Sequence, residues 1–217
     1  TKELLAQLDG DFVASNILQG VNLFGLAGTA TAGGGDDGSF RAVIERTAVN
    51  PTLPSDLTKI GDYAFYQCSN LALTSLPAGV TSIGRYAFNQ CSNLALTSLP
   101  AGVTSIGGYA FNRCSNLALT SLPTALTTID SYAFDYCYAL DITSIPAGVT
   151  SIGSYAFEKC TLLKSITFLG TPSTIGNRAF YNCSGLRTIN APWAEGAVTG
   201  APWGATNVTI NYNYTGG

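Results

Sequence analysis

Cysteine returns every 23 residues in this chain, at Cys68, Cys91, Cys114, Cys137, Cys160 and Cys183, and so regular a period leaves few folds open. Other columns keep the same step. Isoleucine stands eight residues before each cysteine (Ile60 to Ile175), an Ala-Phe pair ends three before it (Phe65 to Phe180), and leucine follows three after it (Leu71 to Leu186). Residues 68–84 and 91–107 are identical, the mark of a recent duplication. One unit of this size cannot bury its apolar face alone, so the units must stack into a solenoid with a continuous core. Ala64, Phe65 and Cys68 lie four and three residues apart, a spacing that predicts one helical turn per coil. Leu71–Leu76 is compatible with a strand, which Pro77 ends by removing a backbone donor, and Ala78-Gly79 turns the chain onward.

Composition narrows the function. The chain has 217 residues, of which 11% are charged and 46% hydrophobic, and it contains no histidine. That excludes Ser-His-Asp and Cys-His catalysis and histidine metal ligands. Ten Lys+Arg against 13 Asp+Glu leave a net charge of -3, so a basic footprint for nucleic acid is missing. No apolar run approaches the roughly 18 residues of a spanning helix, and membrane insertion is not expected. Solubility rests on Ser, Thr, Asn and Gly, a dress common on extracellular surfaces, and the start at Thr1 points to a processed chain or a fragment. No Cys-x-x-Cys pair occurs, and each coil supplies a single cysteine. Coil stacking at ~5 Å does not by itself forbid disulfides, but a buried column of small apolar thiols is the simpler expectation, with no metal site. Asp135 and Glu158 share one column in neighbouring coils, as a glycosidase pair would. With Arg113 and Lys159 in the adjacent column they read instead as a solvated face, and neither enzyme activity nor a cofactor is expected.

The run Leu-Pro-x-x-Val-Thr-x-Ile-Gly-x-x-Ala-Phe-x-x-Cys-x-x-Leu, as in Leu76–Leu94, resembles the BspA-like class of leucine-rich repeat. The resemblance spans about two thirds of the chain. It implies an α/β, right-handed leucine-rich-repeat solenoid of about six 23-residue coils, a parallel β-sheet plus short helical turns, with N- and C-terminal caps. Such proteins are bacterial surface or secreted proteins, with members in parasitic protists and in bacteriophage or prophage structures. What the resemblance implies is attachment or display.

Four segments follow. Residues 1–31 form a small N-terminal attachment module: Lys2–Leu8 reads as a short amphipathic helix, and Asp11–Thr29 resembles a module of phage tail and tail-fibre proteins. Residues 32–39 are a Gly-rich linker, 40–192 the solenoid with its N-terminal cap, and 193–217 a C-terminal cap. Within that cap Val208–Tyr214 alternates apolar and polar residues as a strand does, and Trp193–Asn213 resembles the closing segment of phage-associated repeat proteins. Trp193 and Trp203, the only tryptophans, are candidate aromatic contacts for a sugar, the commoner alternative being an apolar lid.

The sharper candidate lies in the strand. The family pattern turns inward the residue six after cysteine, which Ile166 and Ile189 obey. The first four coils put Thr74, Thr97, Thr120 and Thr143 there, with the apolar residue one earlier at Leu73, Leu96, Leu119 and Ile142. A shift by one exchanges sheet faces. Either these strands are re-registered and the column is buried, or Leu73, Leu96, Leu119 and Ile142 form an exposed partner-binding ridge. Both flanks and the repeat together point to a non-enzymatic, extracellular phage or prophage tail component that binds a receptor; the alternative is a bacterial cell-surface BspA-like adhesin. The expected partners are a host cell-surface protein or glycan, or other tail or surface subunits, with a homo-oligomer as the usual assembly.

Overall fold

The computed structural model describes residues 49–216, and the segments expected to form an attachment module, a linker and the first part of an N-terminal cap lie outside them. The isoleucine column makes the longer of two parallel sheets. Its strands are β1 (Lys59–Ile60), β2 (Ser82–Ile83), β3 (Ser105–Ile106), β4 (Thr128–Ile129), β6 (Ser151–Ile152) and β8 (Thr174–Ile175), in that order. Each pairs in register with the residue 23 positions on, as Ile60 does with Ile83. The coil is thus closed on itself by sequence period alone. The glycine after isoleucine has a close-approach role here: a Cβ on Gly107 would stand 2.8 Å from the Arg85 nitrogen of the coil before.

The second sheet differs from expectation. Its strands are β5 (Ser144–Ile145), β7 (Ser165–Phe168), β9 (Thr188–Asn190) and β10 (Thr209–Asn211), so it covers only the C-terminal coils. The predicted strand over Leu71–Leu76 and its next two copies do not form. Apolar spacing explains the difference. Ile166 and Phe168 are two apart and both buried, which a strand delivers, whereas Leu73 and Leu76 are three apart and both buried, which it cannot. The chain between them buckles, leaving Thr74 and Ser75 both exposed.

No helix occurs among the described residues, and the predicted helical turn is replaced by a string of tight turns. Backbone donors explain why. Within one coil Ala64, Tyr66 and Cys68 donate their N–H groups three residues back, to Gly61, Tyr63 and Phe65. The N–H groups between them, of Tyr63, Phe65 and Gln67, donate to Arg85, Ala87 and Asn89 of the next coil at 2.7–2.9 Å. A helix would spend every donor inside the segment; here half of them stitch coils together. The geometry places Tyr63 and Gln67 at φ 59° and 60°, the left-handed region that a type II turn needs at its third residue, and every later coil repeats it.

The interior is a set of ladders. Phe65, Phe88, Phe111, Phe134, Phe157 and Phe180 stack at 5.1–5.4 Å between centroids, with ring planes within 8° of parallel. Beside them run the buried cysteine, alanine, leucine and isoleucine columns. At the C-terminal end the N–H of Phe180 donates to the Trp203 carbonyl, taking up the bond its predecessors make to a following coil, and β10 pairs with β9.

Candidate interaction face

The residues singled out from sequence turn out to be interior. Leu73, Leu96, Leu119 and Ile142 are at most 5% exposed, and the threonines beside them face solvent. The column is therefore buried and an apolar ridge does not form, though by a buckle in the chain rather than a re-registered strand in the first three coils; turning it inward removes four large side chains from water while the polar threonines lose nothing. The two tryptophans are 5% and 1% exposed. Both pack against Phe168, Trp193 edge-on at 5.0 Å, and the Trp203 Nε1 donates to the Thr199 carbonyl. With both rings in the core, neither presents a face to a sugar.

All six cysteines are buried thiols. From the second coil onward each Sγ donates to the carbonyl of the phenylalanine one coil back: Cys91 to Phe65, Cys114 to Phe88, Cys137 to Phe111, Cys160 to Phe134 and Cys183 to Phe157, at 2.9–3.1 Å. Burial pushes the thiols of Cys91, Cys114 and Cys160 well up, and that of Cys183 up to about 12. A thiolate is the reactive form. A thiol reagent such as 5,5'-dithiobis(2-nitrobenzoate) is therefore expected to titrate six groups in guanidinium and almost none in the native chain; rapid native labelling would contradict the buried column.

Under the turn surface lies a polar ladder. Asn89 donates to Asn112 at 3.0 Å, and Asn112 donates to the Asp135 carboxylate at 2.8 Å. Asp135 is 5% exposed, and its other oxygen meets no donor among the described residues. Burial, and then the Glu158 charge in the next coil, raise its pKa to about 7, against the opposing pull of Lys159 and Arg113. Asp135 and Glu158 do sit side by side as the column predicted, but Asp135 is enclosed and bonded into the ladder, an arrangement for structure.

Above that ladder the structure assembles a feature the sequence reading passed over. Tyr63, Tyr86, Tyr109, Tyr132 and Tyr155 stand five residues before the first five cysteines and stack at 4.6–4.9 Å, within 15° of parallel. All five are half-buried, so their ring edges line the surface. The sixth place is Arg178, whose guanidinium donates to the Tyr155 hydroxyl at 3.0 Å and ends the column. Cations lie on its rings: Arg85 over Tyr86 at 5.0 Å and Arg178 over Tyr155 at 5.8 Å, while Lys159 and Arg113 lie over Tyr136, outside the column, at 4.1 and 4.9 Å. The signal was present as a tyrosine recurring with the period, hidden because it is adjacent to the Ala-Phe core pair.

A parallel solenoid of one short coil per repeat, with isoleucine, phenylalanine and leucine ladders inside, defines a leucine-rich-repeat protein. The family model of the BspA type leucine-rich repeat region, in six copies, matches residues 45–160 and 127–195, and the chain belongs to that family. Among solved structures it is similar to the leucine-rich repeat protein of T. pallidum (TpLRR), at 30% identity over 64% of this chain and 78% of that one, with a TM-score of 0.53. It also matches a leucine-rich repeat protein from Bacteroides ovatus, at 25% identity over 77% of this chain and 61% of that one (TM-score 0.36). A third match is a leucine rich cell surface protein from Faecalibacterium prausnitzii, at 20% identity over 78% and 80% (TM-score 0.34). No curated protein matches. These likenesses concern the repeat and lend nothing to the tail-fibre expectation, whose N-terminal module lies outside the described residues.

Proposed function

We propose that this chain is a non-catalytic adhesion module of a bacterial cell surface, which binds a protein on another cell through its tyrosine-lined turn face. Membership of the BspA-type family supports the adhesive role, and the five-tyrosine column carries the choice of face. Tyrosine and arginine are the residues that anchor protein interfaces, because a rigid ring with a polar tip gains contact area at little cost in entropy. Stacking fixes these rings before any partner arrives, so little further order is lost on binding. The long sheet offers a weaker surface: its exposed Thr81, Thr104, Thr127 and Thr150 already donate their hydroxyls to the carbonyl of the coil before.

The test is adhesion of the purified chain to cultured host cells and to neighbouring bacteria, scored by flow cytometry. Replacing Tyr109 and Tyr132 by serine is expected to weaken binding at least about tenfold, the effect of losing interface anchors, with circular dichroism unchanged. Binding that survives this double substitution would move the contact to another face. Binding to no cell at all would remove the adhesive reading.

A further inference from the structure

The tyrosine column has a second chemical property, independent of what the face binds. Four adjacent pairs of phenol rings are held in contact along one line, Tyr63–Tyr86, Tyr86–Tyr109, Tyr109–Tyr132 and Tyr132–Tyr155. We propose that this column is an oxidative modification site, at which one-electron oxidation joins tyrosines of neighbouring coils by dityrosine bonds within a single chain. Each phenol loses one electron and its hydroxyl proton, giving two phenoxyl radicals. Their ring carbons ortho to oxygen, Cε of one and Cε of the other, form a carbon–carbon bond. The hydrogens on those two carbons then pass through water to the phenoxyl oxygens, restoring both phenols. The balance is two electrons and two protons lost per bond, which one hydrogen peroxide takes up to become two waters when a haem peroxidase transfers the electrons one at a time.

Three features favour this outcome over other fates of a tyrosyl radical. A radical formed on Tyr109 has a partner ring on both sides, at 4.7 and 4.6 Å, and needs no encounter with another molecule. The ring edges are half-buried, so an oxidant meets them while the backbone holds their spacing. Competing reductants are withdrawn: the chain has no methionine, both tryptophans are in the terminal core, and the thiols are buried with raised pKa values. A bond between consecutive coils would staple the stack much as a disulfide does, by limiting the unfolded chain across a 23-residue loop.

The cleavage sites make the test direct. Trypsin cuts after Lys59, Arg85, Arg113 and Lys159, so a Tyr109–Tyr132 bond joins peptide 86–113 to peptide 114–159 and a Tyr63–Tyr86 bond joins 60–85 to 86–113. The full chain is treated with hydrogen peroxide and a haem peroxidase at two protein concentrations a decade apart. Dityrosine is read by its blue fluorescence and the joined peptides by mass spectrometry. The expected result is monomeric cross-linked chain, the two joined peptides, and a yield per chain that dilution leaves unchanged. Y86F/Y132F leaves no adjacent pair of phenols in the column while keeping the rings, and its loss of the monomeric product, with unchanged circular dichroism, is the matching control. Dityrosine confined to covalent dimers and falling on dilution would overturn the proposal. So would joined peptides that map to Tyr66, Tyr136 or Tyr138, or a monomeric product that survives in Y86F/Y132F.

Discussion

Leu96→Ser is expected to destabilise the chain by about 4 kcal/mol, since it removes a fully packed leucine from the core and leaves a hydroxyl in its place. Leu96 has no exposed surface, whereas Thr97 beside it faces solvent. Thr97→Ala is accordingly expected to change stability by no more than about 0.5 kcal/mol. Guanidinium melts of the two variants measure both, and the contrast between neighbours is the decisive quantity. Equal losses, or a larger loss at Thr97, would place the threonine column inside. The same position separates local from array-wide effects. Leu96 belongs to the second of six cysteine-bearing coils, and coils in a solenoid are stabilised by their neighbours. A single sharp transition displaced to lower denaturant means the defect is shared by the stack; a split transition means the first coils unfold alone.

Much of this architecture was legible because a repeat multiplies weak local signals. Cys68 or Ile60 alone says little; the same residue at each 23-residue step fixes stacking, parallel register and a cysteine column in the core. Local conformation was harder to read. Ala64, Phe65 and Cys68 have helical spacing, yet Tyr63, Phe65 and Gln67 donate to the next coil, a partner that sequence spacing within one coil does not contain. The left-handed positions likewise fall on Tyr63 and Gln67 rather than on glycine, while Gly107 is small to let a neighbouring backbone close in. Functional candidates fared unevenly for a related reason. Leu73 drew attention as a departure from pattern and Trp193 as one of only two tryptophans, and both fill the core. The tyrosine column obeys the pattern, so nothing in a single copy marks it; its significance exists only once the rings are stacked.

Asp135→Asn is expected to flatten the dependence of stability on pH. The carboxyl titrates near its ordinary value of about 3.9 in the unfolded chain and is raised to about 7 by burial and by Glu158 in the folded one. Between those values the folded state binds more protons, so stability falls as pH rises, is greatest below the unfolded pKa, and levels off above the folded one. At about 1.4 kcal/mol per unit the loss across the window is at most about 4 kcal/mol, with water penetration and movement of Lys159 and Arg113 reducing it. An amide in this place extends the column that Asn89 and Asn112 begin. It keeps the acceptor that Asn112 needs and carries no charge to desolvate. D135N should therefore match the parent near pH 4 and exceed it near pH 8, as read by guanidinium midpoints across that range. Glu158→Gln supplies the complementary case, because removing the neighbouring charge while leaving Asp135 buried should move the downward slope to lower pH without abolishing it. A parent chain whose midpoint rises between pH 4 and 7, with D135N following the same curve, would show that Asp135 is ionised in the folded chain. The ladder would then rest on its cations, Lys159 and Arg113.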